Sequence, residues 1–446
     1  MDGPGPPAPA GGIPVFGDRP VALPYPPSPL GEDPGCRPDG HRPRPVPGHG
    51  SLSQGHRVLR PGDLLRRHGV RRERLKERAG LYIHFPFCAA KCPYCHFASQ
   101  PWTPSAFRTW RECLEREVAL PMEPGLVFDT IYLGGGTPSL LEPGDIAWLL
   151  ELARSHFSLE VDEFTLEANP GAGGADPMRG WREAGVTRLS VGVQSFDDAV
   201  LATLGRPYAA AEALNFCRAG RAAGFETLAI DLMIGVPGET PASVGRSFEI
   251  ALGLEPDHVS VYFLENVEGL PFEAVLARHP IDEDAVVDAY GRIRDTLEAA
   301  GLRQYEISNF ARPGRECRHN LKYWRYETFV GLGPSACSNA GGRRWCNKTS
   351  LDDWAEALRR NDTIREDVVE LTAELAAREA LVFGLRTVAG VDLAAFTERF
   401  KVDVMALFGR EMGQLVEEGC LIREAGRLRI PVDKFPVSNA ILSRFV

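Results

Sequence analysis

Three cysteines stand close together near position 90 and could hold a metal. The spacing is Cys88-x3-Cys92-x2-Cys95, directly after a short apolar run. Thiolates are soft ligands that suit zinc or an iron–sulfur cluster. Both centres usually take four protein ligands, but three cysteines are local here and the second residue beyond Cys95 is Phe97. The pattern therefore predicts a thiolate metal site with one position left open.

Two readings of this metal site compete. His84 or His96 could complete a zinc site of three cysteines and one histidine. The ligands of a zinc motif usually stand as two distant pairs along the chain, whereas the three cysteines here form one local group. We therefore favour a [4Fe–4S] cluster in which one iron has no protein ligand. Such an iron can bind a small molecule, which makes a cluster reactive.

Strand and helix patterns alternate from residue 81 onward, which predicts a parallel sheet with right-handed crossovers. The helix candidates between the strands include Ala106–Leu120, Pro143–Ser155 and Ala210–Ala223. The strand candidates are Leu81–Phe85, Asp129–Leu133, Phe164–Ala168, Arg188–Val193, Thr227–Ile234 and His258–Leu264.

Polar residues at the strand ends help to choose between a barrel and an open sheet. The cysteines follow the first strand, Gly134–Thr137 follows the second, Glu167 and Gln194 end the third and fourth, and Asp231 lies within the fifth. Strand ends meet at one mouth in a barrel, whereas an open doubly wound sheet binds its ligand at one switch point. We therefore predict an α/β fold with a partial or full (β/α) barrel.

The cysteine spacing after the first strand resembles the signature of the radical S-adenosylmethionine superfamily. In that superfamily the open iron chelates the amino and carboxylate groups of S-adenosylmethionine. An electron from the reduced cluster then cleaves the sulfonium, which gives methionine and a 5′-deoxyadenosyl radical. The run Gly134-Gly135-Gly136-Thr137-Pro138 resembles the superfamily's site for the methionyl amino group, where glycine allows a close approach that a Cβ would prevent.

Most of residues 81–340 resembles a narrower group, the anaerobic coproporphyrinogen III oxidases and their relative, the heme chaperone HemW. The similar stretches are YIHFPFC, GGGTPS, TLEANP, RLSVGVQSF, LGRPY, DLMIGVPGET and QYEISNFA. The resemblance implies that S-adenosylmethionine or a neighbouring ligand contacts Tyr82, Gly135, Gly136, Thr137, Glu167, Gln194, Arg206 and Asp231, and that Tyr94 packs over the cluster. For Gln194 and Asp231, a hydrogen-bonded core position is the alternative.

Two features separate the oxidases from the chaperone. The oxidases have a further cysteine where this chain has Phe97, and the chaperone has an H-N-x-x-Y-W motif, which is His319–Trp324 here. The resemblance therefore implies a chaperone that binds heme and passes it to an apo-acceptor, such as a respiratory enzyme, with an electron donor for the cluster. On that basis His319 becomes a candidate heme contact, whereas alone it would be an ordinary histidine. An enzyme similar to oxygen-independent coproporphyrinogen III oxidase is the alternative.

The chain departs from the group's pattern at two positions. Tyr208 stands where a histidine is usual after the L-G-R motif, and Cys337 replaces the histidine of an A-H-S or A-H-G motif. Either change could alter a porphyrin contact. Cys337 could itself be a thiolate ligand, although a lone cysteine is more often a small buried residue.

The regions outside the barrel differ in composition. Residues 1–78 are rich in Pro, Gly and Arg and are predicted to be disordered. The barrel is assigned to 79–312, a connecting region to 313–368 and a small C-terminal domain to 369–446. Three helix candidates (Leu371–Arg386, Leu393–Phe400 and Val404–Glu418) and a hairpin in Leu421–Ile430 resemble a winged helix, which we interpret as a lid or docking module.

Charge and hydropathy exclude several classes of partner. The net charge of −10 favours neither nucleic acid nor an anionic membrane surface. No apolar run reaches the roughly 18 residues that a membrane span needs. A signal-like start is absent, and acidic residues among the first 40 positions are atypical of a transit peptide. The scattered cysteines suit a reducing compartment, so we predict a cytoplasmic location.

Overall fold

The computed structural model describes residues 76–171 and 176–445. Almost all of the predicted disordered extension, 1–78, lies outside the described residues. The strands are β1 (Glu77–Phe85), β2 (Phe87–Cys88), β3 (Gln100–Pro101), β4 (Leu126–Gly135), β5 (Ser158–Ala168), β6 (Arg188–Gln194), β7 (Thr227–Ile234), β8 (His258–Phe263), β9 (Arg303–Gln304), β10 (Asn309–Ala311), β11 (Phe329–Leu332), β12 (Cys337–Ala340), β13 (Arg343–Asn347), β14 (Arg365–Glu370), β15 (Val391–Asp392), β16 (Ile422–Glu424) and β17 (Arg427–Arg429).

The six predicted strands are all present, although several begin earlier than expected; β1 already includes two residues that were assigned to the extension. No helix among the described residues is long and apolar enough to cross a membrane. The helices are α1 (Pro104–Glu117), α2 (Pro143–His156), α3 (Met178–Glu183), α4 (Asp198–Thr203), α5 (Ala210–Ala223), α6 (Pro241–Leu252), α7 (Glu273–Leu276), α8 (Glu283–Ala299), α9 (Arg318–Trp324), α10 (Leu351–Arg360), α11 (Ala373–Gly384), α12 (Leu393–Phe400), α13 (Val404–Glu417) and α14 (Ser438–Leu442).

The order of the strands in the main sheet explains the barrel. Strands β1, β4, β5, β6, β7 and β8 are parallel neighbours in chain order. Because right-handed crossovers that always advance in one direction put their helices on one face, such a sheet curls. Strand β11 adds in parallel beside β1, and β10 adds antiparallel beside β8. The terminal strands β14 and β9 do not pair with each other, so the barrel is partial.

Local sequence explains why strands give way to helices at the correct positions. Strand β7 reads TLAIDLMI, and all of its residues are buried or half-buried, as expected for a parallel strand covered on both faces. Two of the helices, α1 and α6, start with a Thr-Pro pair. Thr103 Oγ1 accepts a hydrogen bond from Ala106 N at 3.2 Å, and Thr240 Oγ1 accepts one from Ser243 N at 3.1 Å. Proline tolerates the first helical position because its missing N–H has no partner there.

The predicted connecting region is part of the main sheet. Residues 313–368 contain α9, the strands β11–β13 and the start of β14, and helix α10 packs against α1. Its apolar side chains, such as Trp354 and Leu358, belong to the same buried cluster as those of the barrel strands. The domain boundaries remain a prediction, but this region extends the barrel sheet rather than linking two bodies.

The C-terminal region forms the three predicted helices, α11 to α13, and the predicted hairpin. Ala425 and Gly426 both have positive φ, 48° and 77°, as a two-residue turn between twisted strands requires. Strand β15 pairs with β17 and completes a small three-stranded sheet. A separate apolar core that includes Leu381, Phe408 and Leu428 holds this region together.

Candidate functional site at the mouth of the barrel

A cavity of about 570 Å³ opens where the parallel strands end. Its wall combines the strand ends, the cysteine loop and residues of the C-terminal domain. Every predicted site residue except His319 contributes to this wall: Tyr82, Cys88, Cys92, Tyr94, Cys95, Gly135, Gly136, Thr137, Glu167, Gln194, Arg206 and Asp231. The structure therefore brings together residues that span 150 positions of the chain.

The cysteine loop lies between the short parallel strands β2 and β3. Cys95 N donates to Cys92 O at 3.1 Å, and Lys91 Nζ donates to Phe97 O at 3.1 Å, so the loop folds back on itself. All three cysteines are free thiols. A [4Fe–4S] cluster holds its thiolates on separate irons, and three free thiols of one loop that line the same cavity fit such a cluster.

His84 positions the cysteine loop. Its Nε2 lies 2.8 Å from Ala98 O, and its Nδ1 lies 2.9 Å from the Tyr82 hydroxyl. Because a carbonyl can only accept, Nε2 carries the proton and Nδ1 accepts from Tyr82. Burial lowers the pKa of His84 to about 4, so the ring is neutral. Both of its nitrogens are used within the protein.

The glycine turn after β4 admits the protein's own backbone. A Cβ on Gly136 would lie 2.4 Å from Phe87 O, and one on Gly135 would lie 2.5 Å from the His84 ring. Gly135 also has a φ of 113°, which other residues rarely adopt. Thr137 N then donates to Phe87 O at 2.7 Å. The glycines were expected to admit a ligand; the structure adds that they bring β4 against the cysteine loop.

Arg206 brings a buried cation to the cysteines. Its Nη1 lies 3.3 Å from Cys92 Sγ and 3.3 Å from the Tyr94 hydroxyl. Its Nη2 donates to Gly192 O at 2.7 Å, and its Nε donates to the Tyr208 hydroxyl at 2.8 Å. Tyr208, where the group usually has histidine, thus orients this guanidinium. A cation beside a thiolate favours the charged ligand that a metal needs.

Two carboxyl groups face the cavity, Glu167 from β5 and Asp231 from β7, with β6 between them. Glu167 accepts from the Tyr132 hydroxyl at 2.7 Å and from Gly135 N at 3.0 Å. Burial raises the pKa of Glu167 to about 7. Asp231 accepts from Ser260 Oγ at 2.6 Å, and burial raises the pKa of Asp231 as well. Carboxylates with free lone pairs can accept hydrogen bonds from the hydroxyl groups of a ribose.

Gln194 carries an unfilled hydrogen-bond acceptor. It has a φ of 67° and lies where the β6–β7 register shifts. Its Oε1 is buried and has no partner. Buried polar atoms are normally paired, and strained backbone occurs often at functional sites. Together with the thiolate donors, this acceptor indicates that the wall fits a cluster and a polar ligand such as S-adenosylmethionine.

Comparison with known proteins identifies the family. The sequence model of the radical SAM superfamily matches residues 82–251, and that of the HemN C-terminal domain matches 371–431. The heme chaperone HemW of Bacillus subtilis is 33% identical over 349 residues, which cover 76% of this chain and 92% of that protein. HemW of Lactococcus lactis is 32% identical over 378 residues, 83% of this chain and 98% of that protein. The chain belongs to the HemW family of the radical SAM superfamily.

A solved structure supports the fold of this HemW-family chain. Coproporphyrinogen III oxidase (HemN) from Escherichia coli, described as a radical SAM enzyme, matches with a TM-score of 0.73 at 22% sequence identity. The match covers 83% of this chain and 90% of that one. It confirms the predicted radical SAM barrel with its C-terminal helical domain.

His319 does not reach the cavity in this HemW-family structure. The ring is fully buried, with Nδ1 2.9 Å from Thr130 Oγ1 and Nε2 2.8 Å from the Tyr323 hydroxyl. Burial lowers the pKa of His319 to about 3. A heme contact by His319 stays a prediction that would require both hydrogen bonds to break. Other residues of the motif, Asn320, Tyr323 and Trp324, do line the cavity.

Cys337 is not a free thiolate. It is bonded to Cys346, which faces it across the β12–β13 pair. The expectation that Cys337 could act as a thiolate ligand is therefore wrong for this structure. The directly opposed positions of two antiparallel strands bring the two sulfurs together, which spacing along the chain did not reveal.

Residues from the C-terminal domain complete the wall and were missed in the sequence. Four residues of this domain line the cavity although none belongs to a recognisable motif: Arg386, Phe435, Ser438 and Asn439. The one available signal was Arg386 itself, a single charge within the apolar stretch Leu381–Val391. Such an isolated charge in a buried segment usually has a specific partner or role.

Proposed function

We propose that this protein is a heme chaperone that holds a [4Fe–4S] cluster and S-adenosylmethionine in its cavity and binds heme at the part of the wall formed by the H-N-x-x-Y-W helix and the C-terminal domain. The observation that carries the proposal is a single cavity with the cysteine loop, the end of the H-N-x-x-Y-W helix and the C-terminal domain in its wall. Its volume of about 570 Å³ is typical of sites for small molecules and cofactors. The chaperone names of the B. subtilis and L. lactis relatives support the same role.

Each group in the cluster end of the cavity has a task in this proposal. Cys88, Cys92 and Cys95 would hold the cluster, which supplies an electron to bound S-adenosylmethionine when it is reduced. Arg206 stabilises the thiolate of Cys92 through its 3.3 Å contact. Glu167 and Asp231 accept hydrogen bonds from the ligand's hydroxyl groups, and Gln194 Oε1 accepts from an N–H or O–H donor.

The other part of the wall suits a flat apolar cargo. Tyr323, Trp324 and Phe435 contribute aromatic surface there. Tyr323 and Trp324 are held by packing, since the Trp324 ring lies 6.1 Å from Phe383 and the Tyr323 ring lies 4.6 Å from Phe329. An aromatic slot beside the cluster would bind heme by burial of its faces. The apo-acceptor, the electron donor and the cytoplasmic location remain predictions.

The test is an anaerobic reconstitution with iron and sulfide, followed by a heme titration at the Soret band. We expect saturable heme binding and transfer of heme to an added apo-cytochrome. Phe435→Leu, on the cavity wall, is expected to weaken heme binding severalfold. Phe445→Leu changes a side chain that is buried in the same domain but away from the cavity, and is expected to leave heme binding unchanged.

A parallel incubation distinguishes the enzyme alternative. The reconstituted protein is mixed with coproporphyrinogen III, S-adenosylmethionine and a reductant in the absence of oxygen. We expect the porphyrinogen to be recovered unchanged. Conversion of its propionates to vinyl groups, without stable heme binding, would overturn the chaperone proposal in favour of an oxidase.

A further inference from the structure

The wall formed by the C-terminal domain contains a buried cation with few partners. Arg386 follows helix α11, is 5% exposed and lines the cavity. Its Nη2 donates to Asn439 Oδ1 at 3.1 Å, and this is its one side-chain hydrogen bond among the described residues. A guanidinium has five N–H donors, so most of its capacity is unused. Burial of a charge in this state is costly unless a ligand completes it.

The acidic side chains near Arg386 do not form a salt bridge with it. Burial lowers the pKa of Arg386 to about 10, and the nearby charges of Glu306 and Glu265 oppose this shift in part. Glu306 Oε2 accepts from Ser308 N at 3.1 Å, and burial raises the pKa of Glu306 to about 7. Among the described residues, Arg386 donates one side-chain hydrogen bond, to Asn439, and forms no ion pair with a carboxylate.

A second unfilled donor belongs to the same part of the wall. Trp324 Nε1 is buried and finds no hydrogen-bond acceptor in the part of the chain that the structure describes, and Trp324 lines the cavity. Its ring contacts that of Phe383, three residues before Arg386. Both unfilled groups are donors, one of them charged. A carboxylate accepts hydrogen bonds from both kinds of donor and pairs most strongly with the charged guanidinium.

We propose that Arg386 and Trp324 bind a propionate carboxylate of heme. This inference rests on the proposed function and adds the residues that orient the cargo in the cavity. S-adenosylmethionine also carries a carboxylate, but the proposed function places that ligand at the cysteine end of the cavity, where its carboxylate would bind the open iron. Arg386 and its partner Asn439 instead come from the C-terminal domain, next to the aromatic wall that suits heme.

The test compares heme with its dimethyl ester, in which both propionates are neutral. The full chain, reconstituted without oxygen, is titrated with each compound under the same detergent conditions. We expect the wild type to bind heme more tightly than the ester. Arg386→Gln is expected to weaken heme binding about ten- to a hundredfold and to leave ester binding almost unchanged, because the charge-assisted hydrogen bond is lost with heme alone. Trp324→Phe should show the same pattern with a smaller loss.

Several controls keep the outcomes distinct. Arg378→Gln removes one positive charge from helix α11. Arg378 lies outside the cavity and pairs with Glu374, so this variant is expected to change neither titration. Arg386→Lys keeps the charge and is expected to retain part of the preference for heme over the ester. This variant provides the test if Arg386→Gln does not fold. Equal losses for heme and ester in Arg386→Gln, or weaker S-adenosylmethionine binding with unchanged heme binding, would overturn this inference alone. A wild type that binds no heme would overturn the proposed function and this inference together.

Discussion

The two ends of the cavity are built in different ways. At the cysteine end, side chains are committed to one another: Arg206 contacts Cys92, Tyr94 and Tyr208, and His84 uses both ring nitrogens. At the C-terminal end, Arg386 makes a single side-chain hydrogen bond and Trp324 Nε1 makes none. The difference indicates that the first end is organised before any ligand arrives, whereas the second end keeps donors for a ligand. In the proposed function, heme would be the ligand that completes this second end.

The largest expected effect concerns the cysteine end. In Cys92→Ala the thiolate next to Arg206 is lost, so the cluster loses one of three ligands and Arg206 remains as an uncompensated cation. We expect about four irons and four sulfides per reconstituted wild-type chain, and almost none in the variant. Iron and sulfide analysis with the absorption spectrum measures this.

Cys420→Ala is the matched control for this prediction. Cys420 is a free, half-buried cysteine of the C-terminal domain and does not line the cavity. Its replacement is expected to leave the iron content unchanged. One tightly bound zinc in the wild-type protein would instead contradict the cluster assignment and favour the alternative site of three cysteines and a histidine.

A smaller effect tests whether His319 is part of the cargo site or of the core. His319→Gln removes hydrogen bonds to Thr130 and Tyr323, which we expect to cost about 1–3 kcal/mol of unfolding free energy. The heme stoichiometry and Soret maximum should not change. A shifted Soret maximum in a folded variant would contradict the packing role and support heme ligation.

The pH dependence of stability sharpens the test of His319. Burial, assisted by Lys322, lowers the pKa of His319 from 6.5 to about 3 in the folded state. The unfolded chain therefore takes up a proton first as the pH falls below 6.5, so this group's contribution to stability is complete above pH 6.5 and declines towards pH 3. We expect the stability difference between wild type and His319→Gln to shrink between pH 7 and pH 5, by at most about 1.4 kcal/mol per pH unit. Urea unfolding at each pH measures it.

The contrast between the two ends also explains what could be predicted from the sequence. The cysteine end is formed by residues at the ends of successive strands, and parallel strands in chain order bring such positions to one mouth. The places of Glu167, Gln194 and Asp231 in the strand pattern therefore predicted that they would meet at one mouth, and all three line the cavity; their contacts with a ligand stay a prediction. The strand bounds were too short because backbone pairing continues beyond the buried apolar run: β5 begins at Ser158 with mostly exposed residues that still pair with β4.

The wall residues of the C-terminal end could not be predicted from the sequence, for a physical reason. Arg386, two residues beyond α11, meets Asn439 of α14, which lies more than 50 positions away, and no short-range pattern encodes that contact. The residues between them form a separate apolar core. The position of His319 shows the opposite error, since a motif residue of suitable chemistry points into the core while its neighbours reach the cavity. A motif predicts which segment is near a ligand, whereas side-chain direction depends on the helix that carries it.

The smallest expected effect comes from a comparison of two buried glutamines. It tests whether the cysteine end also has a hydrogen-bond acceptor that is free for a ligand. Gln194 and Gln304 each have a buried Oε1 without a partner, but Gln194 lines the cavity and Gln304 does not. Asparagine tolerates the φ of 67° at position 194, so Gln194→Asn shortens the side chain without adding backbone strain. We expect it to weaken S-adenosylmethionine binding about tenfold, or about 1.4 kcal/mol, by calorimetry on reconstituted protein. Gln304→Asn breaks a 2.6 Å hydrogen bond to Tyr290 and should lower stability without changing that affinity. If both variants bound S-adenosylmethionine like the wild type, Gln194 would be a core residue, and Arg386 and Trp324 would be the ligand-dependent part of the wall.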